Sequence, residues 1–206
     1  MSAGPDLEFE RAKVASYRRR LMAGLAASIG EKGLSATTIA DIVRHAGMSK
    51  RAFYDQFTDK DECFLALYQS ASERVIAAID DALARDAGSR EERLRNGIHA
   101  FLSMLEGEPS VTRAHFIEIY SLGERGLQAR NAVLARYAEA FMSALARSSV
   151  GEATVSPLSP HLAIAFIGGV DELALRAIQE GRTDQLLELS DAIVEFANRL
   201  LINPCC

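Results

Sequence analysis

Residues 37–57, TTIADIVRHAGMSKRAFYDQF, constrain this chain more than any other stretch, because they spell two short helices joined by a turn too tight to be a spacer. Thr38 followed three residues later by Asp41 is a capping-box pattern. The hydroxyl can accept an orphan amide proton, and the carboxylate stands in the positive first turn. Ile39, Ile42, Val43 and Ala46 then recur every three or four residues as one apolar stripe, and Gly47 follows where a left-handed residue would stop the helix. The pattern predicts a helix starting at Thr38 and ending at about Ala46. Ser49 is a good N-cap for the next helix, and Phe53, Phe57 and the turn residue Met48 supply its buried side. Lys50, Arg51, Tyr54 and Asp55 fall on the other face, which needs a polar partner.

A helix of this length fits the major groove of duplex DNA, where its first turn can present side chains to base edges while hydroxyls, lysines and helix N-termini grip phosphates. The alternative is a helical hairpin with a solvated charged side; that reading leaves the coincidence of cap, glycine turn, second cap and aromatic pair unexplained. On the groove reading, Thr37 or Thr38 bonds a phosphate at the start of the first of these helices. Ser49, Lys50, Arg51 and Ala52 form the groove-facing turn of the second, with Arg51 either reading guanine or contacting phosphate.

The segment from Arg20 to Leu67 resembles the tetracycline-repressor (TetR) family of transcriptional regulators. RRRLMAGLAASIGEKG is similar to the family's first helix, ending in the acidic, basic, glycine triplet Glu31, Lys32 and Gly33, and SATTIADIVRHAGMSKRAFYDQFTDKDECFLALY follows the family pattern almost position by position. Two departures are visible: Ile29 stands where phenylalanine is common, and Gly24 where alanine is common. The resemblance implies phosphate-backbone contacts by Tyr54 and Lys60. It also implies a mostly apolar pocket enclosed by helices four to eight whose occupancy changes the separation of two DNA-binding heads.

Composition agrees with a helical protein. The chain has 206 residues, 49% of them hydrophobic, five prolines and no tryptophan, enough to bury a full core in one or two domains. The longest apolar runs, such as HLAIAFIGGV, are too short to span a bilayer, and no charged start leads into an apolar run, so a cytoplasmic location is expected. Cys63 reads as a small buried hydrophobe. Cys205 and Cys206 cannot close a vicinal bridge without strain and read as a frayed tail, with lipidation or oxidation to a partner chain as the alternative. His45, His99, His115 and His161 show no ligand spacing, so no metal or other cofactor is expected. No nucleophile with a base partner is legible and no glycine-rich phosphate loop precedes a helix, so no catalytic residue is assigned.

Net charge is −5, which looks wrong for a nucleic-acid binder until it is divided. From Arg11 to Lys60 there are ten basic residues against four acidic, a net +6. The rest of the chain has thirteen basic against twenty-four acidic, a net −11. A cationic head on an anionic body suits phosphate attraction at one end and repulsion elsewhere.

The predicted fold is all-α, about nine helices. A flexible arm (1–10) precedes a three-helix helix-turn-helix DNA-binding domain (11–58) and a helical ligand-binding and dimerisation domain (59–206). Helix one is expected from about Arg11 to Lys32, and a cap signal at Thr58 and Asp61 opens a long fourth helix running to about Arg85. Further helices are expected near 90–106, 111–121 and 126–147, then from Ser159–Pro160 to Gly181, and finally from about Asp184 to Leu201.

The last two helices carry surplus apolar surface. Leu162, Phe166, Gly169, Val170, Leu173 and Ala177 share one side, and Leu186, Leu189, Ile193, Phe196, Ala197 and Leu200 run down the other helix, which predicts a four-helix bundle formed with a second copy. Ordinary intramolecular core is the alternative. In the middle helices Phe101, Met104, His115, Phe116, Ile119, Tyr120, Tyr137, Phe141 and Met142 form the candidate ligand wall, again with plain core as the alternative. His115 and Tyr120 are the first candidates for polar contacts, followed by His99, Arg136 and Asp171. The expected function is a homodimeric regulator that binds an inverted repeat in double-stranded DNA, a repressor released by a small, largely hydrophobic effector. An activator of the same fold, a helical enzyme and a protein-interaction adaptor are the other readings.

Overall fold

The computed structural model describes residues 5–84, 89–148 and 158–201. Among the described residues there are nine α-helices and no strand. They are α1 (Pro5–Ala36), α2 (Ile39–Ala46), α3 (Lys50–Tyr54), α4 (Lys60–Ala84), α5 (Arg90–Gly107), α6 (Pro109–Phe116), α7 (Gly123–Ser148), α8 (Pro160–Gln179) and α9 (Ser190–Leu201). Two 3-10 segments, Glu118–Leu122 and Thr183–Leu189, complete the described secondary structure.

Several helix ends form as the local chemistry dictates. Asp41 N donates to Thr38 Oγ1 at 3.3 Å while Thr38 N donates to Asp41 Oδ2 at 2.9 Å, a closed capping box. Gly47 is left-handed (φ 61°) and its amide returns to the last turn of α2, the conformation that only glycine adopts cheaply. Ser49 accepts from Ala52 N at 3.1 Å and starts α3, and Ser159 accepts from Leu162 N at 3.3 Å before Pro160 opens α8.

Other ends differ from expectation. α1 begins at Pro5 rather than Arg11, because a proline at the first helical position has φ already set and no amide to orphan; residues 5–10, expected as part of a loose arm, are helical, and 1–4 lie outside the described residues. It also passes Lys32 to reach Ala36, through a break at Gly33 (φ 79°). The cap of α4 is Asp59, which accepts from Glu62 N at 2.7 Å, and Glu62 rather than Asp61 reaches back to Thr58 N at 2.7 Å. The expected 111–121 helix is α6 followed by a 3-10 turn, and the expected 184–201 helix is a 3-10 segment followed by α9. Apolar periodicity reads α and 3-10 turns alike over so few residues. The Cys205–Cys206 tail lies outside the described residues, whereas Cys63 is fully buried.

The N-terminal core packs Leu21, Leu25 and Ile29 of α1 against Ile42, Val43, Phe53 and Phe57, and continues into Phe64, Leu67 and Tyr68 of α4. Burying each of these large side chains stabilises by roughly 1.5–3 kcal/mol. A second cluster joins Leu102 of α5 to Phe166, Val170 and Ala174 of α8 and to Ile193 and Ala197 of α9, and Phe101 and Ile167 pack against both. The head is thus welded to α4 rather than hung on a linker. Among the described residues no helix is long and apolar enough to cross a membrane.

Gly24 sets how closely α1 and α2 cross. A Cβ there would stand 2.5 Å from Ile42 O and 3.0 Å from Ala46 N. Both are backbone atoms, so the helices must separate to admit it. Gly24→Ala, the residue common elsewhere in the family pattern, is therefore expected to destabilise despite its helix propensity, by about 1–3 kcal/mol of overpacking. Thermal melting would read this directly, and an unchanged or raised Tm would reject the close crossing.

Candidate nucleic-acid interface and effector cavity

The head presents a short polar helix held by a rigid frame. Ser49, Lys50, Arg51 and Tyr54 are exposed, and Ala52 is half-buried beside them. Tyr54 is 58% exposed even though its ring meets Phe53 edge-on at 5.6 Å, so its hydroxyl is held outward by packing beneath it. Ser49 spends its lone pair on the α3 cap and keeps its proton for a donor contact.

Two residues expected at phosphates, Thr37 and Lys60, also make bonds inside the chain. Thr37 is only 2% exposed, and its hydroxyl donates to Gly33 O at 2.7 Å and meets Ser28 Oγ at 3.0 Å, so it fastens α1 to α2 from inside and its neighbour Thr38 is the exposed threonine. Lys60 Nζ donates to Leu34 O at 2.8 Å and Thr37 O at 2.9 Å. It ties the end of α1 to the start of α4, with one ammonium proton left over for a phosphate.

Charge counting alone could not separate such structural cations from groove-facing ones. Arg20 Nη2 donates to Ala46 O at 2.8 Å and Gly47 O at 3.1 Å, closing the carbonyl end of α2, and Arg18 donates to Gln56 O at 2.6 Å with its guanidinium 4.2 Å from the Phe57 ring centre. Lys32 pairs with Asp41 at 2.7 Å. Together with the Thr38 hydroxyl and amide, that bond holds the Asp41 carboxyl well below the usual carboxylate range. Among the cations of the head, Arg18, Arg20, Lys32 and Lys60 are bonded within the frame, Lys13, Arg19 and Arg44 are exposed on α1 and α2, and Lys50 and Arg51 stand exposed together on α3.

Within the body lies an apolar cavity of about 920 Å³ including its mouth, enclosed by α4, α5, α7, α8 and α9. Of the expected ligand wall, Phe101, Tyr137 and Phe141 line it. Met104 and Ile119 do not, and Ile119 is fully buried core. Phe166, Val170 and Ile193, assigned from periodicity to the face between copies, line this cavity instead and are buried within the single chain. Period alone gives the apolar side of a helix and not what covers it.

His115, Phe116 and Tyr120 line a second, smaller and more polar chamber with Tyr68, Arg130, Asp171 and Glu172. The His115 ring stacks on Tyr68 at 4.5 Å and 10°. Burial, then the charge of Arg130, pull its pKa down to about 4. Asp171 stands in the walls of both spaces. Burial pushes its carboxyl up to about 6 although Arg130 Nη2, 3.6 Å from Oδ2, works the other way. Arg130 is the polar residue sequence reasoning missed; Asp171, the lone charge in LAIAFIGGVDELAL before its neighbour Glu172, was the signal that a polar partner had to sit opposite. Among the other candidates, His99 is exposed and bonds Ser103 at 3.3 Å, and Arg136 meets Glu73 at 3.5 Å.

The outer face of α8 and α9 is apolar and uncovered. Leu162 is 46% and Phe196 38% exposed, and Leu173, Leu189 and Leu200 are half-buried beside them. Phe196 lies against Gly169, where a Cβ would approach its ring to 2.9 Å.

Residues 21–67 match the sequence model of the family described as bacterial regulatory proteins, tetR family. The chain is 29% identical over 90 residues to the HTH-type transcriptional activator FasR of Mycolicibacterium smegmatis. That match covers 44% of this chain and 41% of FasR, so the chain spans about two fifths of that relative's length. The transcriptional regulator FadR from Bacillus subtilis, solved in complex with stearoyl-CoA, has the same fold, with a TM-score of 0.74 at 20% identity over 89% of this chain and 97% of that one. The TetR family transcriptional regulator PfmR from Thermus thermophilus superposes with a TM-score of 0.65 at 24% identity, over 89% and 100% of the two chains.

Proposed function

We propose that this chain, a member of the tetR family of bacterial regulatory proteins, acts as a homodimeric, effector-responsive transcriptional regulator. Residues 11–58 would form its DNA-binding unit and 59–206 its ligand-binding and dimerisation part. The observation that carries the reading is the division of the head's cations. Arg18, Arg20 and Lys60 bond backbone carbonyls at helix ends and Lys32 bonds Asp41, while Lys50, Arg51 and Tyr54 stand exposed on one short helix, available to a partner from outside the chain.

One such helix reads too few bases for specificity, and a symmetric pair reads both halves of an inverted repeat. The uncovered face of α8 and α9 supports pairing through Gly169, Leu173, Leu189, Phe196 and Leu200. The cavity supports a small, largely hydrophobic effector, since its lining is hydrocarbon almost throughout; the stearoyl-CoA of the B. subtilis neighbour is a precedent for an apolar chain in this fold. The effector acts by binding one spacing of the two heads more tightly than the other, because equal affinity for both would change nothing. α4 is the lever: Tyr68 stacks on His115 above the polar chamber, and the helix begins at Asp59 and Lys60, against the head.

Release from the operator makes the protein a repressor. The match to an activator favours a second reading in which the same complex recruits transcription; in vitro transcription from a promoter carrying the selected site decides between them. The DNA reading is tested by selecting bound duplexes from a random pool and titrating Arg51→Ala and Tyr54→Phe on selected and scrambled duplexes. Arg51→Ala is expected to lose about 1–3 kcal/mol on the selected site and little on the scrambled one. Tyr54→Phe should weaken both by a similar, smaller factor. Equal affinity of every protein for both duplexes would reject the assignment.

A further inference from the structure

The smaller chamber gathers hydrogen-bond donors that the chain leaves unmatched. It encloses about 340 Å³ including its mouth, between α4, α6, α7 and α8. Tyr68 is 2% exposed, yet its hydroxyl makes no hydrogen bond with any described residue. Burial raises its pKa, and after burial the groups it feels are Asp171, Tyr137, Arg130 and Tyr120; three of these four line the chamber, so the hydroxyl points there. The His115 ring, stacked on Tyr68, has no hydrogen bond to a described residue on either nitrogen. The Arg130 side chain is only 26% exposed. Among the described residues it meets Asp171 Oδ2 at 3.6 Å, beyond hydrogen-bond reach, and the Tyr120 ring, whose centre is 5.9 Å from its guanidinium carbon. A guanidinium, a phenolic hydroxyl and an imidazole thus line one space with no acceptor from the chain.

Water can meet the hydroxyl and the ring, but a guanidinium taken mostly out of water also needs a counter-charge. Asp171 supplies it incompletely, because burial favours its neutral form and lifts the carboxyl to about 6 against the pull of Arg130. Glu172 is exposed and answered by Arg176 at 3.0 Å. We infer that this chamber binds an oxyanion, a carboxylate or phosphate group, which pairs with Arg130 and accepts hydrogen bonds from the Tyr68 hydroxyl and the His115 ring. The site is separate from the apolar cavity and stands whether or not that cavity takes an effector. A bound oxyanion bridges α4, α6 and α7, which carry Tyr68, His115 and Arg130. A free anion and the polar end of an apolar molecule lodged in the neighbouring cavity present the same chemistry, since Asp171 borders both spaces. An ammonium group would set like charges together beside Arg130, and an alcohol brings an acceptor without the charge.

The test follows the ring signals of the histidines by NMR in the full chain at pH 6, with His115→Gln assigning the relevant one. Acetate, inorganic phosphate, octanoate and octan-1-ol are titrated at constant ionic strength balanced with chloride. The three oxyanions are expected to shift the His115 signal saturably, and octan-1-ol to leave it in place. Tyr68→Phe keeps the ring and its stacking on His115 and should weaken every oxyanion by about tenfold. Arg130→Gln should weaken them further, and Tyr68→Phe carries the test if that variant does not fold. Octanoate binding no more tightly than acetate assigns the site to a free small anion. Octanoate binding tighter by on the order of a hundredfold or more, with the same loss in Tyr68→Phe, assigns it to the polar end of an apolar molecule. No saturable shift with any oxyanion, an equal shift with chloride alone, or affinities unchanged in Tyr68→Phe would each overturn the inference.

Discussion

Replacing Leu162 and Phe196 together by glutamate is expected to yield a folded monomer that has lost at least about a hundredfold in affinity for an inverted-repeat duplex. Leu162 is three residues beyond the Ser159 cap, where a glutamate completes a capping box and suits the positive helix end, so α8 should tolerate the change. Phe196 gives up a ring contact with Phe166 at 5.2 Å, but Ile193, Val194 and Ala197 still anchor α9 in the core. What the pair removes is the uncovered apolar face. Two copies approaching on a two-fold axis would then bring four carboxylates into one desolvated contact, and like charges there cost far more than the lost apolar area. Each half-site would have to be bound separately, and the gain from tethering two modules, about 10²–10⁴ in affinity, disappears. Sedimentation velocity and duplex titration check both halves of the expectation. A variant that stays dimeric, or a monomer that binds the inverted repeat as tightly as the parent, would remove this face from the account of how the heads are paired.

The two ends of the molecule differ in how far sequence reaches. In the head nearly every feature is local: Thr38 caps Asp41 three residues on, Gly47 turns one residue past the helix, and Ser49 caps Ala52, so type and spacing are enough to find them. Lys60 escaped that reading because its acceptors, Leu34 O and Thr37 O, are brought to it only when α4 packs on the end of α1; Thr37 escaped it because the break at Gly33 turns its hydroxyl back onto Gly33 O and Ser28. In the body the useful facts are almost all long-range. Phe166, Val170 and Ile193 are apolar at helical spacing whether they face a second copy, a cavity or a core, and only the packing of α5 and α7 against them decides for the cavity. The Asp171–Arg130 pair spans forty-one positions, and neither residue has a neighbour in sequence that predicts the other.

Asp171→Asn is expected to raise stability at pH 7.5 and to expose an acid-labile histidine. In the parent, burial lifts the Asp171 carboxyl from 3.8 to about 6, so what it contributes to stability is present in full below pH 4 and lost as pH rises through 6. His115 works in the opposite sense. Burial depresses it from 6.5 to about 4, and its contribution is present above 6.5 and lost as pH falls toward 4. Between pH 6 and 4 the two nearly cancel, and the parent's stability should vary little from this source. The Asp171 shift, in which the Arg130 attraction is already counted, corresponds to a ceiling of roughly 3 kcal/mol, and the burial cost of the asparagine amide brings the expected gain at pH 7.5 to about 1–2 kcal/mol. Urea unfolding at pH 7.5, 5.5 and 4 should show that gain shrinking to nothing at the acid end while the variant's own stability declines through the histidine range. A variant less stable than the parent at pH 7.5, or one with the parent's flat profile, would mean that the carboxylate is well satisfied where it sits. If the gain is found, the chain is retaining a charge that its own core would be better without, in the wall of an apolar cavity. That is the energetic mark of a group kept for a ligand rather than for the fold.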